Sequence, residues 1–131
     1  MSRVQLALNV ADLDESIEFY TKLFQVRPAK VREGYANFAI ADPPLKLILF
    51  AGGGEPGSLN HLGVEVETTE EVVAATARAT QADLAHEVQE ATTCCFALQD
   101  KVWVEGPDNA WEFYTVLDDA PVMKSETTCC G

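Results

Sequence analysis

The sequence predicts an α+β protein built from two βαβββ modules, at about residues 1–52 and 59–121. Both halves open in the same way, with a short strand followed by an amphipathic helix. Between them, the glycine-rich run 52–58 interrupts regular structure. The chain therefore resembles a duplicated unit whose halves pair into one curved sheet around a cleft. Residues 122–131 are predicted to form a flexible tail that contains cysteine.

In the first module, alternating apolar residues over Val4–Val10 predict a strand. Asp12 is a suitable N-cap for the helix that follows. One face of that helix carries an apolar stripe, formed by Leu13, Ile17, Tyr20 and Phe24. Two further strands are predicted at Tyr35–Ile40 and Leu45–Ala51, separated by a turn with two prolines.

In the second module, Leu59–Val66 reads as a strand, and Thr68 with Glu71 forms a capping box that opens a helix to about Thr80. The strand candidates after it are Leu84–Gln89, Thr93–Leu98 with Val102–Glu105, and Ala110–Leu117. The run Gly106–Asn109 supplies the turn before the last of them.

Composition limits the partners of this protein. The 131 residues suit one compact domain. Nine Lys and Arg against 21 Asp and Glu give a net charge of -12, which repels phosphate backbones and anionic lipids, so we expect neither nucleic acid nor a membrane as partner. No apolar stretch of about 18 residues and no signal peptide is evident, which favours the cytoplasm. A homodimer is left open.

Three polar residues are candidates for a metal site. Aligning the openings of the two modules places Gln5 on His61, so a pseudo-two-fold pairing would bring both side chains together. Glu112, in an apolar strand, could add a carboxylate. Taken singly, Glu112 could equally be the outward residue of a half-solvated strand, and His61 a polar residue with ordinary hydrogen bonds.

The four cysteines form two adjacent pairs, Cys94-Cys95 and Cys129-Cys130. This spacing matches neither a disulfide framework nor a C-x-x-C zinc site. In a reducing compartment they would remain thiols and could bind a thiophilic ligand. The alternative for Cys94 and Cys95 is that they are small apolar residues buried in a strand.

Three segments together resemble the glyoxalase, bleomycin-resistance and extradiol-dioxygenase superfamily, also known as vicinal oxygen chelate proteins. They are residues 9–20, His61–Val64 and Gly106–Tyr114. The resemblance implies one divalent metal, bound by a His or Gln, a His and a Glu at the positions of Gln5, His61 and Glu112. Because Gln is a weaker ligand than His, iron, manganese, nickel, cobalt and zinc all stay open.

Within that superfamily, Thr92–Ala97 followed by Asp100–Val104 is similar to the organoarsenical carbon-arsenic lyases and their cadmium-induced relatives. That resemblance implies a nonheme Fe(II) dioxygenase with O2 as co-substrate. Its substrate would be a trivalent organoarsenical, methyl- or phenylarsenite, whose carbon-arsenic bond is cleaved to release arsenite. Cys94 and Cys95 would then be the substrate-binding and catalytic thiolates.

Two other functions are compatible with these residues. One is a binding protein of the same fold that sequesters cadmium, a metalloid or a drug. The other is a transferase or isomerase acting on fosfomycin-like or hemithioacetal substrates. Cys129 and Cys130 could capture substrate, carry product away or have no catalytic role. We expect His86 at the surface, where it would be the alternative metal ligand to His61. We expect Lys101 and Trp103 in packing and loop positioning, with roles near the substrate left open.

Overall fold

The structure, a computed structural model, describes residues 2–123 and contains two helices and eight strands within that range. Two βαβββ modules follow each other in the chain, which confirms the predicted α+β class. The elements are β1 (Arg3–Val10), α1 (Leu13–Phe24), β2 (Lys30–Arg32), β3 (Tyr35–Ile40), β4 (Leu45–Ala51), β5 (Leu59–Glu65), α2 (Thr69–Gln81), β6 (His86–Cys94), β7 (Ala97–Glu105) and β8 (Ala110–Asp119).

Contacts divide the chain into a first unit, Arg3–Leu62, and a second unit that begins at Gly63. The boundary falls inside β5, so His61 belongs to the first unit although its strand opens the second module. The predicted linker 52–58 contains no helix or strand.

In the first unit the strands lie in the order β2, β3, β4, β1, β5. Strand β1 pairs with β4 in parallel, and the β2–β3–β4 pairings are antiparallel. Helix α1 packs its apolar stripe on a core of Phe38, Ile40, Leu47 and Leu49. Asp12 caps this helix as predicted, because its carboxylate accepts a hydrogen bond of 2.9 Å from the amide of Glu15.

In the second unit β7 lies between β6 and β8, and both pairings are antiparallel. Helix α2 buries Val72 and Ala75 against Val102 of β7. Thr68 caps it by accepting a hydrogen bond from the amide of Glu71. The Glu71 carboxylate accepts from the amide of residue 67, so the capping box closes one residue earlier than its usual form.

Two sequence predictions differ from the structure. The short strand β2 was not predicted, because three residues of mixed polarity carry no readable alternation. The predicted strand Thr93–Leu98 is wrong, since the chain reverses at Cys95 and Phe96 between β6 and β7. Both residues have left-handed backbones, with φ of 51° and 61°, and neither is the Gly, Asn or Asp that signals such a turn.

Among residues 2–123, neither helix has the length and apolarity that a membrane crossing requires.

Helix α1 ends on Gln25, which is exposed and adopts a left-handed conformation, with φ of 56° and ψ of 41°. A side chain costs about 1–2 kcal/mol in this conformation, and glycine avoids that cost. We therefore expect Gln25→Gly to raise the free energy of unfolding by about 0.5–1 kcal/mol. Urea denaturation measures the change. The control, Gln25→Ala, keeps a β-carbon and should leave stability nearly unchanged, so an equal gain in both variants would contradict the explanation.

Candidate functional site

Gln5 and His61 come together in the first unit. Gln5 lies on β1 and His61 on β5, and their side chains are only 2% and 4% exposed. The Nε2 atom of Gln5 is 3.0 Å from the Nε2 atom of His61. The alignment of the two module openings predicted this proximity. The pair offers one imidazole nitrogen and one amide, two donor groups that suit borderline divalent metals.

His61 has a second polar neighbour on the other side of its ring. Its Nδ1 atom lies 2.8 Å from Oδ1 of Asn60. Asn60 in turn donates to Oδ1 of Asn9 at 2.9 Å, and Asn9 donates to the hydroxyl of Ser58 at 2.9 Å. Both ring nitrogens of His61 therefore have polar partners inside the first unit. Sequence reasoning missed Asn9 and Asn60, although Asn60 directly precedes the candidate ligand.

Glu112 lies on β8 in the second unit and is 2% exposed. It is therefore not the outward residue of a half-solvated strand. Its neighbour Trp111 takes the exposed position instead, as the alternation of a strand requires. Lys101 of β7 donates to Oε1 of Glu112 at 2.7 Å and is itself fully buried. Glu112 is thus half of a buried ion pair.

The buried ammonium group of Lys101 is surrounded by groups that attract a cation. Its Nζ atom also lies 5.5 Å from the ring centroid of Trp103 and 5.7 Å from that of Tyr114. The faces of both rings attract a cation. The ammonium group therefore gains favourable electrostatic contacts beside the carboxylate, which lower the cost of burying its charge. A signal was present in the sequence, since a lysine in a strand of alternating burial must have a partner if it faces inward.

Cys94 and Cys95 are buried in the second unit, 0% and 7% exposed. Cys94 ends β6, and Cys95 is the first residue of the two-residue turn. Their sulfur atoms are 3.4 Å apart, much longer than a disulfide bond of about 2.05 Å, so the two are not bonded to each other. Neither of them is a free thiol in this structure. Gln99 donates to the carbonyl of Cys94 at 2.8 Å and so ties β7 to the end of β6.

Three further candidates from the sequence are His86, Cys129 and Cys130. His86 begins β6, and its ring nitrogens contact the carbonyl of Leu84 at 2.7 Å and the hydroxyl of Thr80 at 3.2 Å. Cys129 and Cys130 lie outside the described residues. Within residues 2–123, no three His, Cys, Asp or Glu side chains cluster as a metal site would require. The three residues expected to bind the metal include only two of these types, His61 and Glu112, since the third is Gln5.

The pKa of one surface carboxyl is clearly shifted. Lys22 donates to Glu18 at 2.9 Å on α1, and this hydrogen bond with the attraction of the ammonium holds the pKa of Glu18 below its ordinary value. This pair is solvent-exposed and lies on the helix.

The fold and these side chains define a class of protein. The chain belongs to the Glyoxalase/Bleomycin resistance protein/Dioxygenase superfamily, whose family model matches residues 3–115. It is 60% identical over 126 residues to the cadmium-induced protein CadI of Mycobacterium tuberculosis, covering 95% of this chain and 83% of that protein. It is 54% identical over 134 residues to a trivalent organoarsenical cleaving enzyme of Thermomonospora curvata, covering 99% of this chain and 89% of the enzyme.

A solved structure shows the same fold in a more distant protein. The Mn(II)-bound glyoxalase from Novosphingobium aromaticivorans superposes with a TM-score of 0.65 at 15% identity. The match covers 98% of this chain and 44% of the glyoxalase. At this identity the likeness concerns the fold alone.

The buried Lys101–Glu112 pair gives a stability prediction. Lys101→Met leaves a buried carboxylate without its cation, so we expect unfolding of the EDTA-treated protein to become easier by about 3–5 kcal/mol. Replacing both partners, as Lys101→Met with Glu112→Leu, should restore most of the loss, since no charge stays buried. Urea denaturation measures both variants. Lys22→Met, which removes the exposed partner of Glu18, is the matched control and should change little. A Lys101→Met protein as stable as wild type would refute the pairing.

Proposed function

We propose that this protein is a nonheme Fe(II)-dependent dioxygenase that cleaves the carbon-arsenic bond of a trivalent organoarsenical, methyl- or phenylarsenite, and releases arsenite. One observation carries the proposal: two adjacent cysteines are buried with their sulfur atoms 3.4 Å apart. The 54% identity to a trivalent organoarsenical cleaving enzyme supports it. Both point to a soft, thiol-binding substrate.

The turn explains why the two sulfurs are close. Successive side chains of a regular strand point to opposite faces, so two adjacent cysteines within a strand would hold their sulfurs apart. The left-handed backbone of Cys95 ends this alternation directly after Cys94. Non-glycine residues in such conformations cost energy and are often found at functional sites. The strained turn thus supplies a paired sulfur ligand.

The separation of the sulfurs suits trivalent arsenic. A centre with bonds to sulfur of about 2.3 Å, the length of zinc–thiolate bonds, would bridge 3.4 Å with an S–centre–S angle of about 95°. This is close to the right angle of a three-coordinate pyramidal centre such as arsenic(III). It is narrower than the tetrahedral angle that a structural zinc ion prefers. Once both are reduced, Cys94 and Cys95 could therefore chelate an arsenical at this sulfur separation.

We further propose that Gln5, His61 and Glu112 hold the metal. Their donor types suit such a group: a buried imidazole beside a buried amide, and a buried carboxylate. Nitrogen and oxygen donors without a thiolate suit Fe(II) with open positions, whereas thiolates prefer softer centres. When bound, iron(II) would supply the activation of dioxygen.

In this proposal each residue has one task. As thiols, Cys94 and Cys95 each form an arsenic–sulfur bond, and the proton of each thiol leaves with one hydroxyl group of the arsenical as water. The arsenical is then fixed in position, which replaces a chance encounter by a reaction within one complex. Lys101 holds the Glu112 carboxylate in place and balances its charge.

A second function is favoured by a specific observation, the 60% identity to a cadmium-induced protein. The same cysteine pair could sequester a thiophilic ion or an arsenical without turnover. Oxygen consumption and arsenite release distinguish the two. After anaerobic loading with Fe(II), a lyase consumes O2 and releases arsenite from methyl- or phenylarsenite over many turnovers, whereas a binding protein takes up one equivalent and stops.

The metal assignment predicts the behaviour of three variants. His61→Ala and Glu112→Ala should each lose stoichiometric divalent-metal binding, because each removes a ligand. Gln5→Ala should weaken binding less, since an amide is the poorest donor of the three. Elemental analysis after anaerobic loading and desalting measures the content, and circular dichroism confirms that each variant is folded. His86→Ala is the control and should bind like wild type. Unchanged metal content in both the His61 and Glu112 variants would exclude this site.

The cysteine assignment predicts a selective loss. Cys94→Ser and Cys95→Ser should each abolish arsenical binding and arsenite release, because a serine oxygen binds arsenic(III) far more weakly than a thiolate of nearly the same shape. Their Fe(II) affinity should stay near that of wild type, since metal and substrate use different ligands. Cys129→Ser and Cys130→Ser serve as controls, with smaller effects. Wild-type rates in both variants of the first pair would contradict the lyase proposal.

A further inference from the structure

A row of hydrogen-bonded side chains leads from Ser58 through Asn9 and Asn60 to His61 within the first unit. Ser58 determines which group donates and which accepts in each of these hydrogen bonds. The hydroxyl of Ser58 donates its proton to the carbonyl of Glu55. Its oxygen is then left to accept from Nδ2 of Asn9, which fixes the orientation of that amide. Oδ1 of Asn9 consequently accepts from Nδ2 of Asn60, so Oδ1 of Asn60 faces the ring of His61.

The glycine-rich segment packs closely against the amide of Asn9. A β-carbon at Gly53 would lie 2.8 Å from Oδ1 of Asn9, and one at Gly54 would lie 2.8 Å from its Nδ2. Only backbone without side chains can approach the amide so closely. Asn9 is itself buried. The backbone thus holds the amide in place, and its hydrogen bonds with Ser58 and Asn60 determine which end is the oxygen.

This row determines which nitrogen of His61 carries the proton. A carbonyl oxygen such as Oδ1 of Asn60 can only accept, so Nδ1 of His61 must be the N–H. In a neutral ring the other nitrogen, Nε2, then has a bare lone pair. Gln5 can contact that lone pair at 3.0 Å only through its NH2 group, which is the atom found there. The contacts of Asn60 and Gln5 therefore both indicate the Nδ1–H tautomer of His61.

We propose that Asn60 is a positioning residue: it holds His61 in the Nδ1–H tautomer, so that Nε2 is the nitrogen offered to a divalent cation. Gln5 covers that lone pair with its amide nitrogen in the metal-free protein and must turn its amide by half a turn to offer its oxygen as a ligand. The metal part of this inference rests on the proposed function, whereas the tautomer does not. Hydrogen bonds to the second nitrogen commonly orient metal-binding histidines.

The tautomer can be observed directly. The protein has two histidines, so a long-range ¹H–¹⁵N spectrum of the metal-free protein in mildly alkaline buffer contains two ring patterns, and His86→Gln identifies the one from His61. We expect a protonated Nδ1 and a bare Nε2 in wild type. Asn60→Ala removes the acceptor and should shift His61 toward a mixture of tautomers.

A conservative variant separates positioning from a structural role. Asn60→Asp keeps an oxygen for the Nδ1–H but cannot donate to Asn9, so it should retain the wild-type tautomer. If Asn60 served only to bind Asn9, aspartate would be as harmful as alanine. Asn37→Ala is the matched control. It removes another buried amide of the same unit, one that donates to the hydroxyl of Tyr35 at 2.8 Å and has no hydrogen bond to His61.

Metal affinity provides the second measurement. Anaerobic titration with cobalt(II), followed by visible absorption, should show Asn60→Ala binding about 10–100-fold more weakly than wild type. Asn60→Asp and Asn37→Ala should stay within a few-fold of wild type. If only the proposed metal site were wrong, wild type itself would bind no cobalt(II). His61 would still carry its proton on Nδ1, and this tautomer would still depend on Asn60. A wild-type His61 protonated on Nε2, or an Asn60→Ala protein with unchanged tautomer, overturns the inference.

Discussion

Buried polar side chains need hydrogen-bond or ionic partners, and this requirement limits which polar residues each unit can bury. In the first unit the imidazole of His61 is satisfied by Gln5 on one side and Asn60 on the other. In the second, the carboxylate of Glu112 is neutralised by Lys101. Each arrangement is costly to build and of limited value for stability. Such groups are expected where chemistry requires them, which is why their burial supports a functional site.

The proposed function separates two kinds of ligand by backbone geometry. Nitrogen and oxygen donors lie within strands, at positions that alternation turns inward, and the soft sulfurs lie where alternation stops. A left-handed residue directly after Cys94 is what allows two neighbouring sulfur atoms to approach within 3.4 Å. A site of this kind assigns the metal and the thiophilic substrate to different residues, so that neither competes for the other's ligands.

Most of the helices and strands could be predicted from the sequence, because their capping residues and apolar alternation agree with the structure. The N-caps Asp12 and Thr68 and the strands β3 and β4 were found where capping and alternation predicted them. The reversal at Cys95 and Phe96 could not be read, because its residues lack the usual turn chemistry. The proximity of Gln5 to His61 followed from the internal repeat. The pairing of Lys101 with Glu112 depends on the register between β7 and β8, which no local pattern reveals.

The central claim is that arsenic and iron are bound by different atoms of this chain. X-ray absorption at both edges tests it most directly, on protein loaded anaerobically with Fe(II) and phenylarsenite. We expect an arsenic edge with two sulfur neighbours that disappear in Cys94→Ser and Cys95→Ser, and an iron edge with nitrogen and oxygen neighbours alone. Sulfur bound to iron, or arsenic without sulfur, would contradict it.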